Sequence, residues 1–292
     1  MKRTILNDVL SPSPPDALYH YTTQAGLLGI VQEKAIWATH TQYLNDNREY
    51  VHALQMVMDE IAAMLKETSD GTARSFLIDM QGCIEGIESV NVCVCCFSEV
   101  KDSLSQWRAY GEPTSGYAIG FTGTLLRDVA TKHDFYLARC IYEPPAQRGL
   151  IRALLEEVLE ENIEREETGK TRDYVPPGGN LGEYLHRYAP ILKDPSFAEE
   201  REWRLISRPM NCTHEGFDYR PGHSMVVPFY RLPLSADDIE FRVHEVVVGP
   251  TPHPRQSIQS VQSLLVSEGV PGAAGASSRV RISASIVPYR SW

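Results

Sequence analysis

The stretch that most limits how this chain can fold is Phe197-Ala198-Glu199-Glu200-Arg201-Glu202-Trp203-Arg204-Leu205-Ile206. In a strand, successive side chains point to opposite faces. Glu200, Glu202 and Arg204 then share one face, while Arg201, Trp203 and Leu205 share the other. Trp203 and Leu205 can be anchored in a core, which leaves two carboxylates and a guanidinium pointing together. Two like charges held that close push one pKa upward unless a cation compensates them, and Arg204 is placed to be that cation. The same residues also fit an exposed edge strand with its charges in water, so the stretch alone does not choose between a site and a surface.

The remaining elements follow from periodicity and punctuation. Leu18-Tyr19-His20-Tyr21 reads as a short strand, followed by Thr22 or Thr23 as the N-cap of a helix whose apolar face is Leu27, Leu28, Ile30 and Val31. Ile36-Trp37-Ala38-Thr39 resumes extended backbone, so His20 sits at a strand end beside a helix N-terminus, a position that favours anions. Asp46, with Glu49 three residues on, resembles a capping box for a helix carrying Val51, Leu54, Met58, Ile61 and Leu65. A second helix is predicted up to about residue 88, then a buried strand from Val92 to Ser98. Lys101 to Gly111 predicts one or two helical turns, and Gly116 to Phe121 a strand with one face stripped to Gly116, Ala118 and Gly120. Strands are further predicted over Phe135 to Tyr142, Met225 to Tyr230, Val243 to Val248 and Arg279 to Val287. Helices are predicted over about 147–168, 181–193 and 255–267. The glutamates of 147–168 read as a solvated face, and Val175-Pro176-Pro177-Gly178-Gly179 as a break. Ser11-Pro12-Ser13-Pro14-Pro15 predicts a flexible N-terminal leader, residues 1–16, lying outside the fold. Residues 17–292 then form a single α+β domain, with a mostly antiparallel sheet and helices inserted between its strands.

A chain of 292 residues can bury a sizeable core, and its formal net charge of −10 argues against a general electrostatic grip on nucleic acid or anionic membrane. No signal peptide and no bilayer-spanning apolar run is present, so the expected setting is cytoplasmic, without a membrane partner. Three of the six cysteines crowd Val92-Cys93-Val94-Cys95-Cys96-Phe97. Cys93 and Cys96 have the spacing of a metal-binding pair, but in a strand they face opposite ways and no second pair accompanies them, so reduced buried thiols are expected. The nine histidines are scattered and no metal is expected. Dinucleotide-binding glycines, a phosphate loop, His-Glu-x-x-His and Gly-x-Ser-x-Gly are all missing.

Polar and aromatic residues nevertheless collect in short segments bounding the predicted strands: His20, Tyr21 and Thr22; Asn45 and Asp46; Ser98; Gln106, Trp107, Arg108 and Tyr110; Glu200, Glu202 and Arg204. Singly, each has an ordinary structural explanation. Jointly they suit a cleft for a flat, polar, phosphorylated ligand, with aromatic rings to stack, a cation or helix start for phosphate, and a carboxylate for a reacting sugar.

Leu18-Tyr19-His20-Tyr21-Thr22, Tyr43-Leu44-Asn45-Asp46, Cys96-Phe97-Ser98, Leu104-Ser105-Gln106-Trp107-Arg108-Ala109-Tyr110-Gly111 and Glu200-Arg201-Glu202-Trp203-Arg204 resemble the signature of a large bacterial family catalogued only as a domain of unknown function. The resemblance runs from about Leu18 to Arg290. A strand histidine, a middle strand ending in Ser and a late Glu-x-Glu are, in that order, also similar to the ADP-ribosyltransferase superfamily. That second resemblance implies a split β-sheet whose cleft holds NAD as substrate. It gives His20 the contact to the nicotinamide ribose or phosphate, and Ser98 or Tyr110 the support of ribose or ring. Glu202 would be the residue that stabilises an oxocarbenium-like transition state, with Glu200 as its partner. Tyr21, Thr22, Gln106, Trp107 and Arg204 complete the expected NAD-binding set. What the likeness implies is a transferase or NAD glycohydrolase, in a toxin or defence setting, with a protein, a nucleic acid or water as acceptor and room for a regulatory protein partner. A non-catalytic module binding a nucleotide or a partner in the same cleft is the alternative. A metal-dependent nuclease using Glu200, Glu202 and Asp46 is disfavoured because Arg204 already fills a metal's electrostatic niche.

Overall fold

The structure, a computed structural model, describes residues 2–10, 12–44, 48–84, 91–111, 116–168, 180–222, 224–274 and 280–289. In chain order the elements are helix α1 (Lys2–Leu10), strand β1 (Ala17–Thr23), α2 (Gln24–Glu33), β2 (Ala35–His40), α3 (Arg48–Glu67), α4 (Gly71–Cys83), β3 (Cys93–Ser98), α5 (Leu104–Tyr110), β4 (Gly116–Thr122), α6 (Gly123–Lys132) and β5 (Phe135–Arg139). Then come α7 (Pro144–Thr168), α8 (Leu181–Tyr188), β6 (Glu202–Ser207), β7 (Phe217–Pro221), β8 (Val226–Pro233), β9 (Glu245–Val248), α9 (Pro254–Ser267) and β10 (Arg281–Ala284). These strands make one sheet in a mixed helix-and-strand architecture, and every pairing but the parallel β9–β10 is antiparallel. The expected mix of inserted helices with one mostly antiparallel sheet therefore matches in outline. Among the described residues no helix is long and apolar enough to cross a membrane.

The reason β3 reads as one unbroken apolar run is that both of its faces are buried. Cys93, Cys95 and Phe97 enter one core with Trp203, Leu205, Ile36 and the Leu27, Ile30 and Val31 face of α2. Val94 enters a second core on the opposite face, with Ile206 and apolar residues of α1, α3, α4, α7 and α8. Burying a side chain such as Phe97, only 2% exposed, contributes about 1.5–3 kcal/mol. The alternation read in 202–206 is thus real: Trp203 and Leu205 face the first core, and Ile206 the second.

The leader expected outside the fold is partly inside it. Helix α1 delivers Leu6 and Leu10 to the second core, and the Tyr188 hydroxyl donates to the Leu6 carbonyl at 3.2 Å. The prolines that follow pack on the start of α6, where Gly123 donates its N–H to the Asp16 carbonyl at 3.2 Å. A Cβ on Gly123 would lie 2.2 Å from the Pro15 carbonyl oxygen and 2.8 Å from Pro14 Cβ. Because the nearest obstacle is backbone, Gly123→Ala is expected to cost about 1–3 kcal/mol. Urea unfolding checks this; an unchanged midpoint would return residues 14–16 to the status of a loose leader.

The geometry of β3 positions the site. Strand β6 pairs along one edge of β3, from Val94↔Ile206 to Ser98↔Glu202. Both β1 and β2 claim the other edge, but at opposite ends: β1 by Tyr19↔Ser98, β2 by Thr39↔Val94 and His40↔Cys93. As both run antiparallel to β3, they are parallel to each other, joined by α2. They cannot both occupy the Cys95–Phe97 edge, and they part there. Into this parting His20 sends its ring, with Nδ1 2.9 Å from the Cys96 carbonyl oxygen.

Candidate functional site

A cleft of about 1760 Å³ opens where β1 and β2 diverge. Its walls come from β1, α2 and β2 on one side and from the segment around Lys193–Glu200 on the other, with Cys96 of β3 and Arg204 of β6 between them.

Residues 195–200 are not strand. Pro195–Glu200 is a 3₁₀ turn started by Asp194, whose carboxylate accepts from the Ser196 N–H at 2.8 Å. Arg201 then takes the left-handed conformation at φ 43°, and β6 begins at Glu202. The expected strand face of Glu200, Glu202 and Arg204 is corrected accordingly: Glu202 and Arg204 share a face of β6, and Glu200 arrives from the turn before it. What joins them is Lys193, which the sequence pattern did not flag. Its ammonium donates to the Glu200 carboxylate and, at 2.5 Å, to Glu202 Oε2. Lys193 is only 3% exposed, Glu202 4% and Arg204 2%, so these charges meet essentially out of water.

The two carboxylates differ. Arg204 grips Glu202 in bidentate fashion, Nε to Oε1 at 2.9 Å and Nη2 to Oε2 at 3.0 Å, and also donates Nη1 to the Pro190 carbonyl at 2.7 Å. Burial would raise the Glu202 pKa, but Arg204 and Lys193 outweigh it and hold the group down at about 2. Glu200 is pushed the other way, upward, chiefly by burial, with Lys193 opposing. Glu202 is thus a permanent anion with its oxygens engaged. Glu200 has Lys193 as its cation, lines the cleft and is the carboxylate freer to meet a ligand.

The other residues expected at the site divide. His20, Tyr21, Thr22 and Tyr110 line the cleft together with Glu200, Glu202 and Arg204. Burial lowers the His20 pKa, so its ring is neutral; since a carbonyl can only accept, the Nδ1–H donates to Cys96 and Nε2 keeps its lone pair. Tyr21 spends its hydroxyl on the Val100 carbonyl at 2.7 Å and on the Ser103 N–H at 3.1 Å. Burial, with the nearby Cys96, Glu202 and Glu200, raises the Tyr110 pKa and keeps it a phenol. Ser98, Gln106 and Trp107 do not line the cleft. Ser98 is buried and holds the turn instead, donating to the Glu200 carbonyl at 2.7 Å and accepting from the Val100 N–H at 2.9 Å. Trp107 is core, edge-on to Tyr21 with ring centroids 4.7 Å apart and its Nε1–H on Asp102 at 2.7 Å. Asn45 and Asp46 lie outside the described residues.

Sequence reasoning also missed Trp37, Tyr43, Phe197 and Arg220, all of which line the cleft. Trp37 could have been found. Ile36 and Ala38 on either side of it are core residues, so alternation puts Trp37 on the far face, where it is 43% exposed. A tryptophan that exposed on a strand bordering a cleft is a surface for something to lie on.

The Lys193, Glu200, Glu202 and Arg204 cluster lies in a stretch that matches a family model. Residues 106–205 match the family model described as protein of unknown function (DUF2971). The matched stretch carries Tyr110, Lys193, Glu200, Glu202 and Arg204. It excludes His20 and Arg220, which reach the same cleft from either side of it in the chain. No curated protein and no solved structure matches the chain.

Proposed function

We propose that this protein is an NAD-cleaving enzyme of ADP-ribosyltransferase type, its parted β1 and β2 forming in outline the split sheet of that superfamily. One observation carries the reading: His20 and the Glu200–Glu202 pair, some 180 residues apart in sequence, line a single cleft at that parting. In the reaction the bond between nicotinamide nitrogen and ribose C1′ breaks. Nicotinamide leaves with the bonding pair, positive charge develops on the ribose, and an acceptor nucleophile adds to C1′ and gives up its proton. A carboxylate near C1′ stabilises that charge more in the transition state than in the ground state. We assign this role to Glu200, with Glu202 as the fixed anion that, through Lys193, holds Glu200 in place. Tyr110 and His20 supply an O–H donor and a neutral ring at the same cleft. The acceptor is a protein, a nucleic acid or water.

A second reading is favoured by a separate observation. Among the described residues, Glu200 and Glu202 stand against Lys193 and Arg204 in a cluster already tied together by ion pairs without a ligand. A non-catalytic module that binds a nucleotide in the cleft would be built the same way. The deciding measurement is nicotinamide release from NAD by purified protein, wild type beside Glu200→Gln. Release by the wild type and its loss in the variant supports the enzyme. No release, with no rise in thermal midpoint on adding NAD, overturns it; a raised midpoint without release leaves the binding module.

A further inference from the structure

Along the same cleft from the Lys193 cluster stands a cation with no anion beside it among the described residues. Arg220, on β7, lines the cleft and makes no ion pair with any described residue; its one hydrogen-bond partner there is Thr39 Oγ1, 3.4 Å from Nη2. Its Nε is buried with no acceptor among the described residues. Two other guanidiniums show what pairing looks like here: Arg152 has Glu60, Glu67 and Glu156, and Arg231 has Glu33 and Asp218. An arginine at a cleft wall with only a hydroxyl to bond is suited to an anion brought by a ligand.

Its neighbourhood says which kind. Thr39 and Trp37 are two residues apart on β2 and so share a face, about 7 Å from each other. The Trp37 ring packs by one side on Phe229, with centroids 4.5 Å apart, and is 43% exposed. A free aromatic face beside an unpaired guanidinium fits a planar ring carrying a phosphate. The position fits an extended ligand as well. Thr39 is paired with Val94 and Glu202 with Ser98, four residues apart on β3 and therefore about 13 Å along the strand. A molecule touching both ends must be long, as a dinucleotide is and a lone sugar is not.

We propose that Arg220, Thr39 and Trp37 form the subsite for the adenylate half of the ligand: phosphate on Arg220 and Thr39, base stacked on Trp37. This rests on the reading of the cleft as an NAD site, but it concerns the half of NAD that is not cleaved. The probes are therefore AMP and adenosine, titrated calorimetrically into the full chain. Wild-type protein is expected to bind AMP more tightly than adenosine. Arg220→Ala should weaken AMP roughly 10- to 100-fold, the scale of losing hydrogen bonds to a charged group, and leave adenosine unchanged. Arg220→Gln, similar in reach but uncharged, should behave as the alanine variant does and covers the case in which that variant fails to fold. Trp37→Leu, which keeps Phe229 covered, should weaken both probes by about tenfold through lost stacking. The proposal is overturned if wild-type protein binds neither probe, or if Arg220→Ala and Arg220→Gln bind AMP as the wild type does. AMP affinity lost in these variants, in a protein that releases no nicotinamide, would uphold the subsite while removing the transferase. Nicotinamide release that is indifferent to Arg220 would do the reverse.

Discussion

Glu202→Ala is expected to destabilise the protein by about 3–5 kcal/mol, the cost of breaking a buried ion pair from one side. The substitution takes the bidentate acceptor from the Arg204 guanidinium and one of its two described carboxylates from Lys193, both cations still buried. Glu202→Gln should be nearly as costly, since one of its two oxygens becomes an N–H donor facing cations. Replacing Glu202 and Arg204 together by Met should recover much of the loss, because apolar groups of similar volume carry no desolvation penalty. The same charge makes stability depend on pH in a fixed direction. The Glu202 pKa is about 2 when folded against an ordinary value of 4.5, so the unfolded chain takes up the proton first. The contribution, about 3 kcal/mol, is complete above pH 4.5 and is lost as the pH falls towards 2. Glu200 acts oppositely: its raised pKa means that the folded state accepts a proton more readily, which offsets part of the loss. Urea unfolding at pH 7, 4.5 and 3 measures both. A Glu202→Ala midpoint close to wild type would mean that these charges are hydrated rather than locked together.

Glu200→Gln is expected to reduce nicotinamide release by about 10²–10³-fold, the scale seen when one preorganised electrostatic group is removed from a transition state. This variant, not Glu202→Gln, is the informative one, because Lys193 retains Glu202 as counter-ion and the Arg204 fork is untouched. Its stability cost should be about 1 kcal/mol. Activity and fold are therefore separable at Glu200 and entangled at Glu202. The result to look for is a lower kcat with KM for NAD little changed, since the carboxylate is asked to act only as charge develops. A variant that turns over at the wild-type rate would take the catalytic role away from Glu200.

Much of the fold was legible because its strands bury both faces and its helices bury one. The apolar run at β3, Leu54, Met58, Ile61 and Leu65 along α3 (though not Val51, which is exposed) and the alternation in Trp203, Leu205 and Ile206 are direct records of packing. Thr23, one of two candidate caps, is the one that bonds the Gly26 N–H, at 3.1 Å. Other parts left no such record. Strand β7 is an edge strand whose residues are half-buried or exposed, so it lacks alternation and Arg220 stayed out of view with it. Helix α6 went unread although Leu125, Leu126 and Val129 mark its buried face. Lys193 comes from the link between two 3₁₀ turns, and the left-handed Arg201 separates Glu200 and Glu202, which both converge on it. Ser98 and Trp107 had the right residue types for ligand contact, but each spends its polar group on the protein itself.

The parting of β1 and β2 has a mechanical consequence. In an intact sheet, tension on one strand passes to the next through rungs of hydrogen bonds. Among the described residues, the middle of β3 has such rungs to β6, and on its other side the His20 ring spans the interval to the Cys96 carbonyl. On that side β3 is held to β1 at Ser98 and to β2 from Val94, with an interval between. A molecule lodged in that interval would act as a splint, bracing β1 against β2 through contacts of its own. Occupancy would then register as stiffness in both strands, including residues that the molecule never touches.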